Sequence, residues 1–182
     1  MKKVFLSVLL VLFISCAKQP SVQVQTYSIE QFYKNISIWG GAFSPDESQL
    51  LVTSNETGIY NVYALSVADG QMEALTSSET ESQFAISYFP NDKRVLFSAD
   101  KGGNENNHIY LLNEDKSVLD ITPFENSKSQ FYSWSHDKES FFFASNQRNP
   151  KFFDLYEKRI DQLENLESYT LVFQNDEGFD LG

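Results

Sequence analysis

Few residues in this 182-residue chain have the types and spacing to do chemistry. It has two histidines, His108 and His136, and one cysteine, Cys16. Ser44 precedes Pro45 and Ser135 precedes His136, but neither serine has a base at a spacing that would activate it as a nucleophile. The G-x-S-x-G elbow that mounts a serine nucleophile on a strand-to-helix turn does not occur. The acidic run Asp100-Lys101-Gly102-Gly103-Asn104-Glu105-Asn106 has the flavour of a calcium loop. Gly102 nevertheless occupies the third ligand place, so a hairpin loop is the better reading. No catalytic residue, no metal ligand set and no cofactor site is expected.

Cys16 carries the one covalent expectation. MKKVFLSVLLVLFISC places Lys2 and Lys3 before an apolar run from Val4 to Ile14, then Ser15 and Cys16. This is the pattern of a secretory signal, and the run is too short to span a bilayer. Phe13-Ile14-Ser15-Cys16 resembles a bacterial lipobox with Phe13 at the usual leucine place, which makes Cys16 the expected lipidation site. With no second cysteine an intramolecular disulfide is excluded. Residues 1–16 read as a lipoprotein-type signal, 17–26 as a polar tether, and 27–182 as the folded part. The expected location is a bacterial cell envelope, periplasm or outer membrane, with a lipid anchor as the membrane contact. Loss of Lys2 and Lys3 takes the net charge from −11 to −13. The acidic residues are dispersed, which supplies solubility and leaves no basic footprint for nucleic acid.

A repeat must position whatever site exists. AFSPDESQLLVTSN recurs as YFPNDKRVLFSAD 45 residues on and as WSHDKESFFFASN 91 residues on. Each copy has an aromatic (Phe43, Tyr88, Trp134), a polar turn, three apolar residues in a row, then a small residue with an amide or acid. A second motif keeps the same spacing: Asn61-Val62-Tyr63, His108-Ile109-Tyr110 and Asp154-Leu155-Tyr156. His108 thereby aligns with Asn61 and Asp154, which favours a hydrogen bond recurring at that place over a ligand role, and His136 falls in a turn.

A period near 45 residues, rich in Val, Ile, Phe and Tyr and punctuated by Pro-Asp and Gly turns, predicts propeller blades of four strands. In the first unit strands are expected near 36–43, 49–54, 60–67 and 73–76, with turns at 44–48, 55–58 and 68–71. Three consecutive apolar residues imply a strand covered on both faces, as in sheets packed between neighbours. The fold class is thus all-β: a propeller of four-stranded antiparallel blades near 36–80, 82–125 and 128–175, with the start of a further blade to 182. About three blades leave the ring incomplete, and two uncovered sheet faces would call for association. Trp39 and Trp134 fall on the innermost or adjoining strands and are the candidate channel-lining residues.

The SPDES turn with its following strand resembles the blade repeat of TolB-like propellers. The runs GGAFSPDESQLLVTSNETGIYNVYAL, YFPNDKRVLFSADKGGNENNHIYLL and WSHDKESFFFASNQRNPKFFDLYE resemble the N-terminal propeller of prolyl oligopeptidase-family serine peptidases, of the dipeptidyl aminopeptidase or acylaminoacyl peptidase type. The resemblance covers essentially the whole chain after the leader. It implies a propeller joined to a C-terminal α/β-hydrolase domain whose Ser-Asp-His triad cuts peptides admitted by the propeller. Glutamates on the propeller hold the substrate's amino terminus in dipeptidyl peptidases of the family. Glu79 and Glu81 lie on an inter-blade connector out of that motif's context, so the role is not carried over.

The expected function is therefore the substrate-gating propeller portion of an exported serine peptidase, without the catalytic domain, its partner a peptide in the channel. The ending NDEGFDLG reads as the approach to another blade, as in a truncated reading frame. The alternative is a non-enzymatic TolB-like propeller lipoprotein that binds a protein partner at the envelope. A third reading is a degenerate gene whose product does not fold stably.

Overall fold

The computed structural model describes residues 24–179, so Cys16 and the leader lie outside the described residues. The chain divides between residues 35 and 36. Among the described residues the first unit holds one short helix, α1 (Ile29–Tyr33), started by a capping box. The Ser28 side chain accepts from the Gln31 backbone N–H, and the Gln31 side chain accepts from the Ser28 N–H at 2.8 Å.

Among the described residues the second unit has twelve strands. They are β1 (Ile38–Phe43), β2 (Gln49–Ser54), β3 (Asn61–Ser66), β4 (Met72–Ala74), β5 (Gln83–Tyr88) and β6 (Val95–Ala99). Then follow β7 (His108–Leu112), β8 (Val118–Asp120), β9 (Ser129–Trp134), β10 (Ser140–Asn149), β11 (Phe152–Arg159) and β12 (Thr170–Phe173). They form three antiparallel four-stranded sheets, each in simple meander order, and the ring is not closed. A 3-10 turn, Ile160–Gln162, follows β11. The expected strands of the first unit are all present: β2 has the expected bounds, β1 and β3 are one or two residues shorter at an end, and β4 starts one residue earlier and ends two earlier than expected.

The triple apolar runs work by alternation. In sheet two, Val95 and Phe97 point to sheet one, where they meet Leu51 and Val62; Leu96 between them points to sheet three. In sheet three, Phe141 and Phe143 point back to sheet two and join Leu96, Ile109 and Leu111. Strand side chains alternate between faces, so a strand between two neighbours must be apolar at every position. The inner strands also touch across sheets, since Ala85 N–H of β5 donates to the Thr53 hydroxyl of β2 at 2.9 Å.

The first and third polar turns share one hydrogen-bond pattern. Ser44 Oγ donates to Asp46 at 2.6 Å and accepts from the Gln49 N–H at 3.0 Å. Ser135 does the same with Asp137 and Ser140 at 2.6 and 3.0 Å. The hydrogen bonds hold Glu47 and Lys138 in the left-handed region, at φ of 56° and 62°. In the middle turn Phe89 replaces the serine. Its ring is buried between sheets two and three, with Arg94 stacked 4.4 Å over it.

β1 is bent by Gly40 and Gly41, whose φ values of 93° and 150° accompany a break in register between Trp39 and Ala42. A side chain at either place would strain the backbone.

Candidate functional site

Antiparallel meanders put all hairpins of one kind at one end of the array. The β2–β3, β6–β7 and β10–β11 hairpins and the connectors between sheets share one end. The serine-aspartate turns and the β3–β4 and β7–β8 hairpins share the other.

At the serine-aspartate end the hydroxyls are structural. Ser44 and Ser135 are engaged with the aspartates and backbone of their own turns, and His136 is a turn residue. Those contacts hold the carboxyls of Asp46 and Asp137 well below the usual carboxylate range, through serine hydroxyls and backbone N–H donors. Among the described residues neither serine hydrogen-bonds to a histidine.

At the opposite end the recurrent polar residue of the third strands fastens each sheet. Asn61, fully buried, accepts from the Ser78 N–H at 2.7 Å and the Thr76 hydroxyl at 3.0 Å, and donates to the Ser78 carbonyl at 3.0 Å. His108 Nδ1 sits 2.7 Å from Asp120 Oδ2. Asp154, also fully buried, receives Arg148 through two nitrogens at 2.6 and 2.9 Å and the Asn175 N–H at 2.8 Å. Arg148 holds the Asp154 carboxyl below its ordinary value. Asn61 and Asp154 therefore tie the third strand to the segment that leaves its sheet, and His108 ties it to the end of β8. The threonines that follow add a matching bond, Thr76 to the Val62 N–H and Thr122 to the Ile109 N–H.

The acidic loop after β6 spends its oxygens on itself. Asp100 accepts from the Glu105 N–H at 2.8 Å and Asn104 from the Asn106 N–H at 3.0 Å. Glu81, from the connector before β5, accepts from the Gly102 N–H at 3.0 Å and so ties that connector to the loop. A polar cleft of about 230 Å³ opens beside it, lined by Lys101, Asn106, His108, Tyr110 and Asp120. Burial pushes the Tyr110 hydroxyl up to about 12. Among the described residues no three His, Cys, Asp or Glu side chains gather as metal ligands.

The two tryptophans differ. Trp39 on β1 is 46% exposed and packs with Tyr60 and Phe84, the three ring centroids 5.6 to 6.1 Å apart. Trp39 on β1 and Phe84 on β5, the first strands of sheets one and two, with Tyr60 from the loop before β3, form a partly exposed aromatic surface. Trp134 on β9 is seated among Phe89, Phe131 and Phe141, and its indole N–H donates to Ser87 Oγ at 3.0 Å across the junction of sheets two and three. Tyr60 and Phe84 were not singled out in the sequence. The signal was there for Phe84, which stands one 45-residue period after Trp39.

Three stacked four-stranded meanders with recurrent turns and locks define a piece of a β-propeller. The sequence matches the family model of the dipeptidyl peptidase IV (DPP IV) N-terminal region over residues 13–154, and the chain belongs to that family. No curated protein matches the sequence. Among solved structures, TolB from Acinetobacter baumannii is similar at a TM-score of 0.59 and 22% identity, covering 79% of this chain and 33% of that one. A prolyl endopeptidase structure has a TM-score of 0.59 at 11% identity, covering 76% of this chain and 22% of that one. A Mycobacterium tuberculosis puromycin-hydrolyzing peptidase has a TM-score of 0.55 at 14% identity, covering 80% and 22%. At these identities the likeness is one of fold, and the chain spans between about a fifth and a third of these structures' length.

Proposed function

We propose that this chain is the substrate-selecting propeller portion of an exported serine peptidase, and that it binds peptides along its inner strands without cutting them. The single observation that carries this reading is the Trp39–Tyr60–Phe84 surface, formed by the first strands of sheets one and two and the β2–β3 loop, in a chain of the DPP IV N-terminal family. Aromatic faces hold apolar and proline-like side chains at small entropic cost, and Trp39 leaves nearly half of its surface available. The lipid anchor on Cys16 would keep the propeller at the envelope.

The purified chain is titrated with short peptides while Trp39 emission is followed in a Trp134→Phe background. Saturable binding is expected, and Trp39→Ala should weaken it about fivefold, the equivalent of about 1 kcal/mol of aromatic contact. A serine-directed fluorophosphonate should leave the chain unlabelled. Labelling, or an absence of peptide binding, would overturn the reading. Cys16→Ser should abolish incorporation of labelled fatty acid; retained label would refute the anchor.

The second reading, a TolB-like propeller that binds a protein partner, draws on the likeness to the two TolB structures, one of them 46% covered by this chain. Binding of a folded envelope protein, unaffected by Trp39→Ala and without affinity for short peptides, would favour it.

A further inference from the structure

We propose that the cleft between the middle polar turn and the start of the β11–β12 connection binds a small ligand with carboxylate groups on an apolar body, of the class of a short acidic peptide. The cleft lies at the serine-aspartate end, away from the β2–β3 loop that carries Tyr60. The inference goes beyond the peptide-binding reading at Trp39 and does not depend on it.

The three repeats supply their own reference, and two features break the pattern. The connection from third to fourth strand is 67–71 in sheet one and 113–117 in sheet two, but 160–169 in sheet three, twice the length. The middle polar turn has Phe89 where the other copies have Ser44 and Ser135. Both departures meet in one cleft of about 450 Å³. Phe89, Pro90 and Arg94 come to it from the middle turn, Arg159 and Ile160 from the start of the long connection, and Lys138 from the third turn. Packing and turn closure account for what the copies share. Features that single copies add, converging on one place, mark a site set into the repeat.

The cleft is built before any ligand arrives. The Ile160 N–H donates to the Glu139 carbonyl at 2.9 Å, which fastens the connection to the third turn. Further along, Leu163 is buried in the core between sheets two and three, and the buried Lys158 ammonium donates to the Asn165 carbonyl at 2.5 Å. Arg94 is held 4.4 Å over the Phe89 ring and by Asp92, which accepts from Nε at 3.0 Å and from Nη2 at 2.8 Å. Arg159 is oriented in the same way by Asp161, at 3.1 and 3.3 Å, with Glu139 at 3.5 Å.

A count of donors and acceptors gives the ligand its chemistry. A guanidinium has five N–H donors, and a bidentate carboxylate on Nε and Nη2 takes only two of them. The Nη1 groups of Arg94 and Arg159 and the ammonium of Lys138 have no acceptor among the described residues. The side chains of Arg94 and Arg159 keep 27% and 49% of their surface open. The cleft therefore has oriented donors to spare while its own carboxylates are occupied, which suits a carboxylate better than an amine. Phe89, Pro90 and Ile160 add apolar wall, and the volume exceeds what one bare oxyanion fills.

Trp134 reports on this site, because its ring packs 5.1 Å from that of Phe89. The purified full chain in a Trp39→Phe background is titrated at constant ionic strength with acetyl-Leu-Glu, with the neutral acetyl-Leu-Gln amide and with inorganic phosphate. A saturable change of Trp134 emission is expected with acetyl-Leu-Glu alone. Arg94→Gln and Arg159→Gln should each weaken it about tenfold, the effect of one charge-assisted pair. Lys151→Gln, at the other end of the array, should leave it unchanged. If Arg94→Gln unfolds, the exposed Arg159→Gln carries the same reading. No saturation up to about 10 mM, an equal response to the neutral peptide, phosphate bound as tightly as the acidic peptide, or affinity unmoved by Arg159→Gln would each overturn the proposal. The Trp39 titration in the Trp134→Phe background decides the peptide-binding reading separately.

Discussion

Leu96 is the residue on which the stacking argument depends most directly. It is fully buried, and its side chain leaves sheet two to meet Phe141, Phe143 and Tyr156 of sheet three. Leu96→Ala removes three carbons from a packed junction whose walls are strand backbones on both sides. Leu→Ala changes in cores cost about 2–5 kcal/mol, and restricted collapse here puts the expectation near 3. With a urea slope of roughly 1–3 kcal/mol/M, the midpoint should fall by roughly 1–3 M. The assay is urea unfolding followed by Trp134 emission in a Trp39→Phe background, because Trp134 sits at the same junction. A matched titration on Trp39 in a Trp134→Phe background reads sheet one. The Trp134 signal should shift most, since in stacked repeats stability is close to a sum of unit and nearest-neighbour contributions. A loss under about 1 kcal/mol, or equal shifts of both reporters, would refute the idea that the array is held sheet by sheet through these faces.

Two further outcomes are expected. Asn61→Ala strips the partners of the half-buried Ser78 backbone and Thr76 hydroxyl and empties the fully buried place of Asn61, and should cost about 1–3 kcal/mol; thermal unfolding of this variant beside Asn61→Asp measures it. Burial pushes the hydroxyls of Tyr88, Tyr110 and Tyr156 up to about 12. Their unfolded counterparts ionise near 10, so the folded state keeps its advantage below that pH and loses it as pH rises toward 12. Phenolate absorbance should show these three titrating late and together with unfolding; early titration would contradict their burial.

Much of the fold was legible because it is written three times. The turn at Ser44-Pro45-Asp46 and its copy at Ser135-His136-Asp137 need only local hydrogen bonds, so residue type predicts them. Burial of triple apolar runs on both faces follows from strand alternation alone. The recurrent place of Asn61, His108 and Asp154 pointed to a hydrogen bond before its partners were known. Those partners were not legible: Ser78, Asp120 and Arg148 stand at different distances in the chain, brought close respectively by the connector after β4, by the pairing of β7 with β8 and by the β10–β11 hairpin. The helix at Ile29–Tyr33 was missed because one turn has no period to detect, although its capping box was present in the sequence.

The tryptophans mark the boundary between the two kinds of information. Sequence alone determined that both belong to inner strands of a repeated β unit, since repeat position is a property of spacing. Tertiary structure decided what each one does. Trp134 is turned toward Phe89, an aromatic that stands where the other copies have serine, and a junction fills around it. Trp39 lies beside the Gly40-Gly41 bulge and meets Phe84 from the next sheet while keeping much of its surface exposed. Which way a ring faces depends on the register breaks in β1 and β9 and on the neighbour opposite, and both are set by contacts between segments far apart in the chain.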